Sequence, residues 1–351
     1  MPTKKAVAKK SDSRIAYFDY LRVAAIIAVV FLHVAANKWY STDVNGFAWQ
    51  TFNIYDSIAR WGVSIFVMIS GALFLSKETP IKKLYKKHIL RMLIAFLVWS
   101  IIYALINGKS FDIPGLVSVI KGHYHMWFIP MIIGLYMCVP LLKPIAKKTE
   151  TTKYFLFLSL IFAFIIPEAT RLISVFGDST INKIASAASS WISDMHLDMI
   201  LGYTSIFVLG YYLHEKKLEK KQRLWIYVGG IIGAVATIML SVAASLKAQK
   251  AVGFYGNFTL NVLLEAIAVF TWFKYHDFKN NKVISVLSKL SFGVYLVHPL
   301  VLQKLSQWTG LTTRSFNAVL SVPAIVGIVL LVSFGISAIL KCIPIVKKYI
   351  V

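Results

Sequence analysis

Apolar residues run along this chain in ten long blocks, separated by polar segments rich in lysine. The blocks lie near residues 17–36, 57–76, 89–107, 126–146, 154–168, 199–214, 224–246, 258–275, 289–306 and 317–343. About 20 apolar residues make a helix of about 30 Å, the thickness of a bilayer's hydrocarbon core. In lipid only helices and closed barrels satisfy their own backbone, and continuous runs of this length predict helices rather than strands. The pattern therefore predicts an all-α polytopic membrane protein of about ten transmembrane helices. The run at 154–168 is short and reads as a tilted or partial span. The longest outer connection, 169–198, carries Ser189, Ser190, Trp191, Ser193 and Asp194 and can form a cap over an outer cavity.

Composition agrees with that pattern. The 351 residues are 58% hydrophobic, with a mean hydropathy of +0.68, more apolar surface than a soluble fold can bury. The net charge of +23 would point to nucleic acid in a soluble domain. Here the lysines sit between apolar blocks, where they act as topology signals, so no nucleic-acid partner is expected and the bilayer is. With a cytoplasmic N-terminus, 27 basic residues fall on inner segments and 8 on outer ones. That bias predicts cytoplasmic N- and C-termini and an even number of spans. Residues 1–13 are expected to form a disordered basic tail against anionic lipid, and 14–351 a single transmembrane domain. No cleavable leader is expected, because the N-terminal tail is polar and the first apolar block is long enough to span. Cys138 and Cys342 lie in apolar runs and imply neither a disulfide framework nor a metal site; no metal is expected. No internal repeat is visible.

The chemistry begins in the first block, where ten residues separate Arg22 from His33. Eleven helical steps turn about 1100°, close to three full turns, so both side chains share one face about 16.5 Å apart along the axis. A cation and an imidazole on one stripe of a membrane helix face protein or water rather than lipid, and mark function by default. Asp19, three residues before Arg22, can pair with it; Arg22 can equally be an anchor at the inner interface, and His33 an interhelical hydrogen-bonding group. At about His33's depth, Arg60 can stabilise an oxyanion or bind an acidic sugar, or simply pair with Asp56. His125 and Trp127 begin the fourth block on the outer side and can contact an acceptor; Trp is also common at membrane interfaces. Glu265 and His298 lie mid-span and can pair with each other or with Arg22. Ser70, beside Gly71, reads as helix packing or a close backbone approach. His88, His214 and His276 flank spans in lysine-rich segments and read as solvated.

The run Phe18-Asp19-Tyr20-Leu21-Arg22 through Phe31-Leu32-His33-Val34 resembles the start of the acyltransferase-3 family of integral membrane acyltransferases. Residues 60–71, 125–142 and 291–299 are similar, in order, to that family's second, fourth and ninth spans, the last reading Ser291-Phe292-Gly293-Val294-Tyr295-Leu296-Val297-His298-Pro299. The match is nearest to the branch without a fused extracytoplasmic domain, which includes surface-polysaccharide O-acetyltransferases. The resemblance implies a membrane O-acyltransferase that moves an acyl group, acetyl from acetyl-CoA first among them, onto a hydroxyl of an envelope or exported glycan, free or lipid-linked. It implies acetyl-CoA or another acyl-CoA as co-substrate, and a multi-pass protein of a bacterial cytoplasmic membrane. His33 would then be the base, with Arg22 a second catalytic residue, and Arg22 and Asp19 would bind the donor. The residue pattern also admits a transporter or flippase of lipid-linked sugars, and a non-catalytic membrane sensor on the same fold. Oligomeric state is not legible in the sequence.

Overall fold

Residues 16–36 contain no glycine or proline, and they form an unbroken first helix, α1 (Ala16–Ala36). The computed structural model describes residues 15–110 and 112–351; the tail expected to be disordered lies outside the described residues. Every regular element among the described residues is helical. After α1 come α2 (Phe47–Ser57), α3 (Trp61–Leu75), α4 (Ile81–Ile106), α5 (Phe128–Lys147), α6 (Thr149–Phe176), α7 (Ser179–Ser193) and α8 (Tyr203–Glu215). The chain ends with α9 (Lys220–Ala248), α10 (Leu260–Tyr275), α11 (Lys282–Thr309), α12 (Ala318–Cys342) and a short helix, Pro344–Tyr349.

Each of the ten apolar blocks is helical, and eight helices among the described residues are long and apolar enough to cross a membrane. The other two blocks are α8, with 13 residues, and α10, with 16. At about 1.5 Å per residue both fall short of a full bilayer core. Burial compensates: Ile206, Phe207, Val208 and Gly210 of α8 are enclosed by protein. Gly71 and Gly210 make this possible. A Cβ on Gly71 would lie 1.7 Å from the Phe207 carbonyl oxygen, and one on Gly210 2.1 Å from that of Met68. The two backbones touch, which settles Gly71 as a packing position.

Three expected boundaries move. The second block opens earlier, as α2, and breaks at residues 58–60 before α3, with Arg60 and Asp56 hydrogen-bonded beside the break. The fifth runs to Phe176 rather than stopping near 168. Pro167 does not end the helix: it follows directly on a π-helical turn at Leu160–Ile165, the kind of local adjustment that accommodates a proline inside a membrane helix. The connection 169–198 folds as the end of α6 plus α7; none of its described residues lines the main cavity, so it is not a cap on it.

α1 is the axis of the bundle. It packs on α2, α3, α10, α11 and α12, and 67% of its most apolar stretch is buried, against 17% for α6. The alternating helix directions gather the lysine-rich ends at one pole. There Lys143 meets Glu78 at 3.2 Å, Lys274 donates to the Leu213 carbonyl at 2.7 Å, and Lys341 donates to the Lys289 carbonyl. Tyr17 at the start of α1 binds His214 at 2.6 Å, so His214 is half-buried and partnered rather than solvated. At the opposite pole Tyr55 donates to Val319 at 2.9 Å and Gln303 to Asn107 at 3.2 Å.

Candidate functional site

A single cavity of about 1410 Å³ extends from the lysine-rich pole to the opposite end of α1. The periodicity of α1 sets its long wall: Arg22, Val29 and His33 all line it. Its three zones differ in chemistry.

The lysine-rich mouth carries ten cations on its walls: Arg22, Lys82, Lys83, Lys86, Lys87, Arg91, Lys289, Lys341, Lys347 and Lys348. No acidic residue lines the cavity among those described. Lys86, Lys87 and His88 sit on a π-helical turn, Leu84–Ile89, inside α4; such turns re-aim side chains and recur at functional sites. His88, expected to be solvated, lines the cavity against Phe74. Arg22 is 3.6 Å from Asp19, whose buried carboxylate also accepts from Ser288 at 2.7 Å. Asp19 does not line the cavity, so it holds Arg22 from behind rather than meeting a ligand.

The middle zone is apolar, walled by Leu32, Val63, Phe66, Met92, Phe128 and Phe292. Ser70 and Tyr136 interrupt it; the Ser70 hydroxyl donates to the Phe66 carbonyl at 2.9 Å.

The far zone holds the imidazoles. His33 Nδ1 lies 2.8 Å from the Val29 carbonyl oxygen and 3.1 Å from His298 Nε2. His298 Nδ1 lies 2.8 Å from the Tyr295 carbonyl and 3.1 Å from that of Val294. Carbonyls only accept, so His298 carries its hydrogen on Nδ1 and presents a lone pair at Nε2. His33 likewise carries its hydrogen on Nδ1, shared between Val29 and His298, which leaves the Nε2 lone pair of His33 unprotonated. His298 is fully buried and does not line the cavity. A second pair stands beside the first, with His123 and His125 2.9 Å apart through their Nδ1 atoms. His125 is buried, lines the cavity, and its Nε2 has no partner. Tyr295 donates to the His125 carbonyl at 2.6 Å, and Tyr103 stacks on His123 at 4.1 Å. Burial pushes both imidazoles of this loop pair below the ordinary histidine value, and holds the Tyr124 hydroxyl up at about 12.

Arg60 pairs with Asp56 and also lies over the Tyr255 ring, 4.1 Å from its centroid, at the cavity wall. Trp127 is half-exposed on the same wall beside Asn257, which donates to Tyr203 at 2.9 Å. Glu265 pairs neither with His298 nor with Arg22: it accepts from Thr237 at 2.7 Å, between α9 and α10, and does not line the cavity. The expected Glu265–His298 pairing fails because His298 turns to His33 instead.

The structure thus brings Arg22, His33, Arg60, His125, Trp127 and Ser70 to one cavity, and sets Asp19 and His298 just behind it. Sequence reasoning missed the lysines as wall residues. Lys82, Lys83, Lys86 and Lys87 recur at helical-face spacing, a signal that a topology reading absorbs. It also missed His123, Tyr255, Asn257 and Tyr295, which loops and distant helices deliver. Comparison with known proteins matches residues 15–340 to a family model described as an acyltransferase domain. No curated protein and no solved structure matched the chain.

Proposed function

The chain belongs to the acyltransferase-3 family of membrane acyltransferases, and from that premise we propose that it transfers acetyl from acetyl-CoA to a hydroxyl of a cell-envelope glycan. The observation that carries this reading is the order of zones along one cavity: ten cations, an apolar neck, then imidazoles. An acyl-CoA is built in the same order, with phosphates at one end, a slender pantetheine arm, and the thioester at the other. Guanidinium and ammonium groups bind phosphate by charge-assisted hydrogen bonds. The roughly 16.5 Å between Arg22 and His33 is of the order a stretched arm spans.

The chemistry follows from His33. Its Nε2 lone pair removes the proton of the acceptor hydroxyl as that oxygen attacks the thioester carbonyl. The resulting imidazolium keeps its Nδ1–H on Val29 and His298. The tetrahedral oxyanion collapses to the ester as the carbon–sulfur bond breaks, and His33 returns its proton to the departing thiolate. Arg60 and His125 are the polar groups at that depth available to the oxyanion or to the acceptor. Trp127 and Asn257 offer a stacking face and an amide to a sugar.

The test is thiol release from acetyl-CoA by purified protein supplied with isolated envelope glycan. The wild type is expected to release thiol and ester-modify the glycan. His33→Ala should lower kcat by about 10²–10⁴-fold with folding intact. A folded His33→Ala protein with wild-type turnover contradicts the mechanism, and a wild type without transfer contradicts the function.

A further inference from the structure

The four imidazoles near the far end of the cavity are not equivalent, and His298 stands apart. It is the one whose two nitrogens are both engaged, and it is sealed from the cavity that His33 and His125 line. Nothing reaches it but protein: it is 0% exposed, one turn from Val294 and Tyr295, whose carbonyls fix its Nδ1 hydrogen. A buried polar side chain inside a membrane bundle is costly unless it does something that an apolar one cannot. Helix packing between α1 and α11 does not require an imidazole there, because Val294, Val297 and Val301 already bury apolar surface along this part of α11.

We propose that His298 is the positioning residue of His33, accepting its Nδ1–H so that the catalytic Nε2 faces the cavity unprotonated and the imidazolium formed during transfer is held. This rests on the reading of His33 as the base. The logic is that of a catalytic triad, in which a buried acceptor behind the histidine fixes its tautomer and supports its charge; here the acceptor is a neutral imidazole. The Val29 carbonyl alone is an incomplete substitute, because it is also the helical i−4 partner of the His33 backbone. When His33 takes the substrate's proton on Nε2, its Nδ1–H bond to His298 becomes charge-assisted and strengthens. Full passage of the Nδ1 proton to His298 Nε2 also balances: His298 becomes the cation, with its Nδ1–H still donated to two carbonyls, and the proton returns when the thiolate is protonated by His33. No oxidant or further reactant is required.

The arrangement distinguishes substitutions by where they put an acceptor. The oxygen of a glutamine falls near the position of Nε2, that of an asparagine near Nδ1, and leucine supplies none. His298→Leu is expected to lower kcat for acetyl-CoA thiol release about 100-fold while leaving the KM for acetyl-CoA and the thermal midpoint close to wild type. His298→Gln should recover at least tenfold of that loss. A purely structural histidine would show the opposite split: a lower thermal midpoint with kcat of the folded fraction unchanged. Should His298→Leu not fold, the comparison of His298→Gln with His298→Asn carries the test, with Gln expected about tenfold faster. His298→Leu within threefold of wild-type kcat, or Gln no faster than Asn, overturns the proposal. His33→Ala measured alongside separates the two ideas. An inactive His33→Ala with an active His298→Leu removes the pairing and leaves His33 as base. An active His33→Ala removes both.

Discussion

At the scale of single residues, the proposed chemistry turns on where protons sit. Arg22 and His33 were legible in the sequence because helical periodicity is local: eleven positions along one apolar helix fix a shared face before any tertiary contact is known. The partner of His33 was not legible. His298 lies 265 residues away, and only the packing of α1 on α11 brings the rings to 3.1 Å. The neighbouring pair gives a prediction of its own. His123 and His125 are held below the ordinary histidine value by burial. Such groups stay neutral in the fold while the unfolded chain takes up protons from about pH 6.5 downward. Their contribution to stability is therefore present above that pH and lost as pH falls beneath it. The thermal midpoint in detergent should drop between pH 7.5 and pH 5, and the His123→Gln, His125→Gln double variant should show a flatter slope. A slope as steep in that variant as in the wild type would assign the acid sensitivity to other groups.

At the scale of elements, close backbone approach decides what a helix can be. α8 has only 13 residues, yet it belongs to the bundle because Gly71 and Gly210 let it lie directly against α3. Gly71→Ala places a methyl 1.7 Å from the Phe207 carbonyl oxygen. No side chain can move to relieve this, so the helices must separate, at a cost at the upper end of the about 1–3 kcal/mol typical of overpacking, or beyond it. A clear fall in the thermal midpoint is expected. Gly134→Ala, where an added Cβ meets nothing within 4 Å, is the control and should leave it unchanged. Equal midpoints for the two variants would mean that the backbones of α3 and α8 are not in contact. The π-helical turn at Leu84–Ile89 shows the complementary limit of sequence reading. Its lysines were visible as charge, but their aim into the cavity depends on one extra residue in a helical turn, which no hydrophobic period reports.

At the scale of the whole molecule, the positive charge serves two purposes at once. The same lysines that bias topology also line the mouth of the cavity, so the pole that the bias assigns to the cytoplasm is the pole where a cytoplasmic, phosphate-bearing donor would enter. The alternation of helix directions was legible as ten blocks with lysines on every second connection. The break between α2 and α3, the continuation of α6 past Pro167, and the departure of α7 from the cavity were not, because each depends on local backbone geometry rather than hydropathy. Reporter fusions after Lys148 and after Lys221 are expected to read cytoplasmic. An external signal from either would reverse the entry side.

In the proposed function one cavity holds the donor lengthwise, with its nucleotide phosphates among the cations and its thioester at His33. The decisive measurement is a two-by-two comparison of acetyl-CoA and acetyl-pantetheine with wild type and Arg22→Ala. A charge-assisted hydrogen bond is worth about 1.5–3 kcal/mol. Arg22→Ala should therefore raise the KM for acetyl-CoA about tenfold or more, while changing that for acetyl-pantetheine, which lacks the nucleotide phosphates, by less than about twofold. Arg22→Lys should fall between, keeping the charge without the planar fork. An equal effect of Arg22→Ala on both donors would contradict the account: Arg22 would not touch the nucleotide end, and the cation-lined mouth would not be where the donor binds.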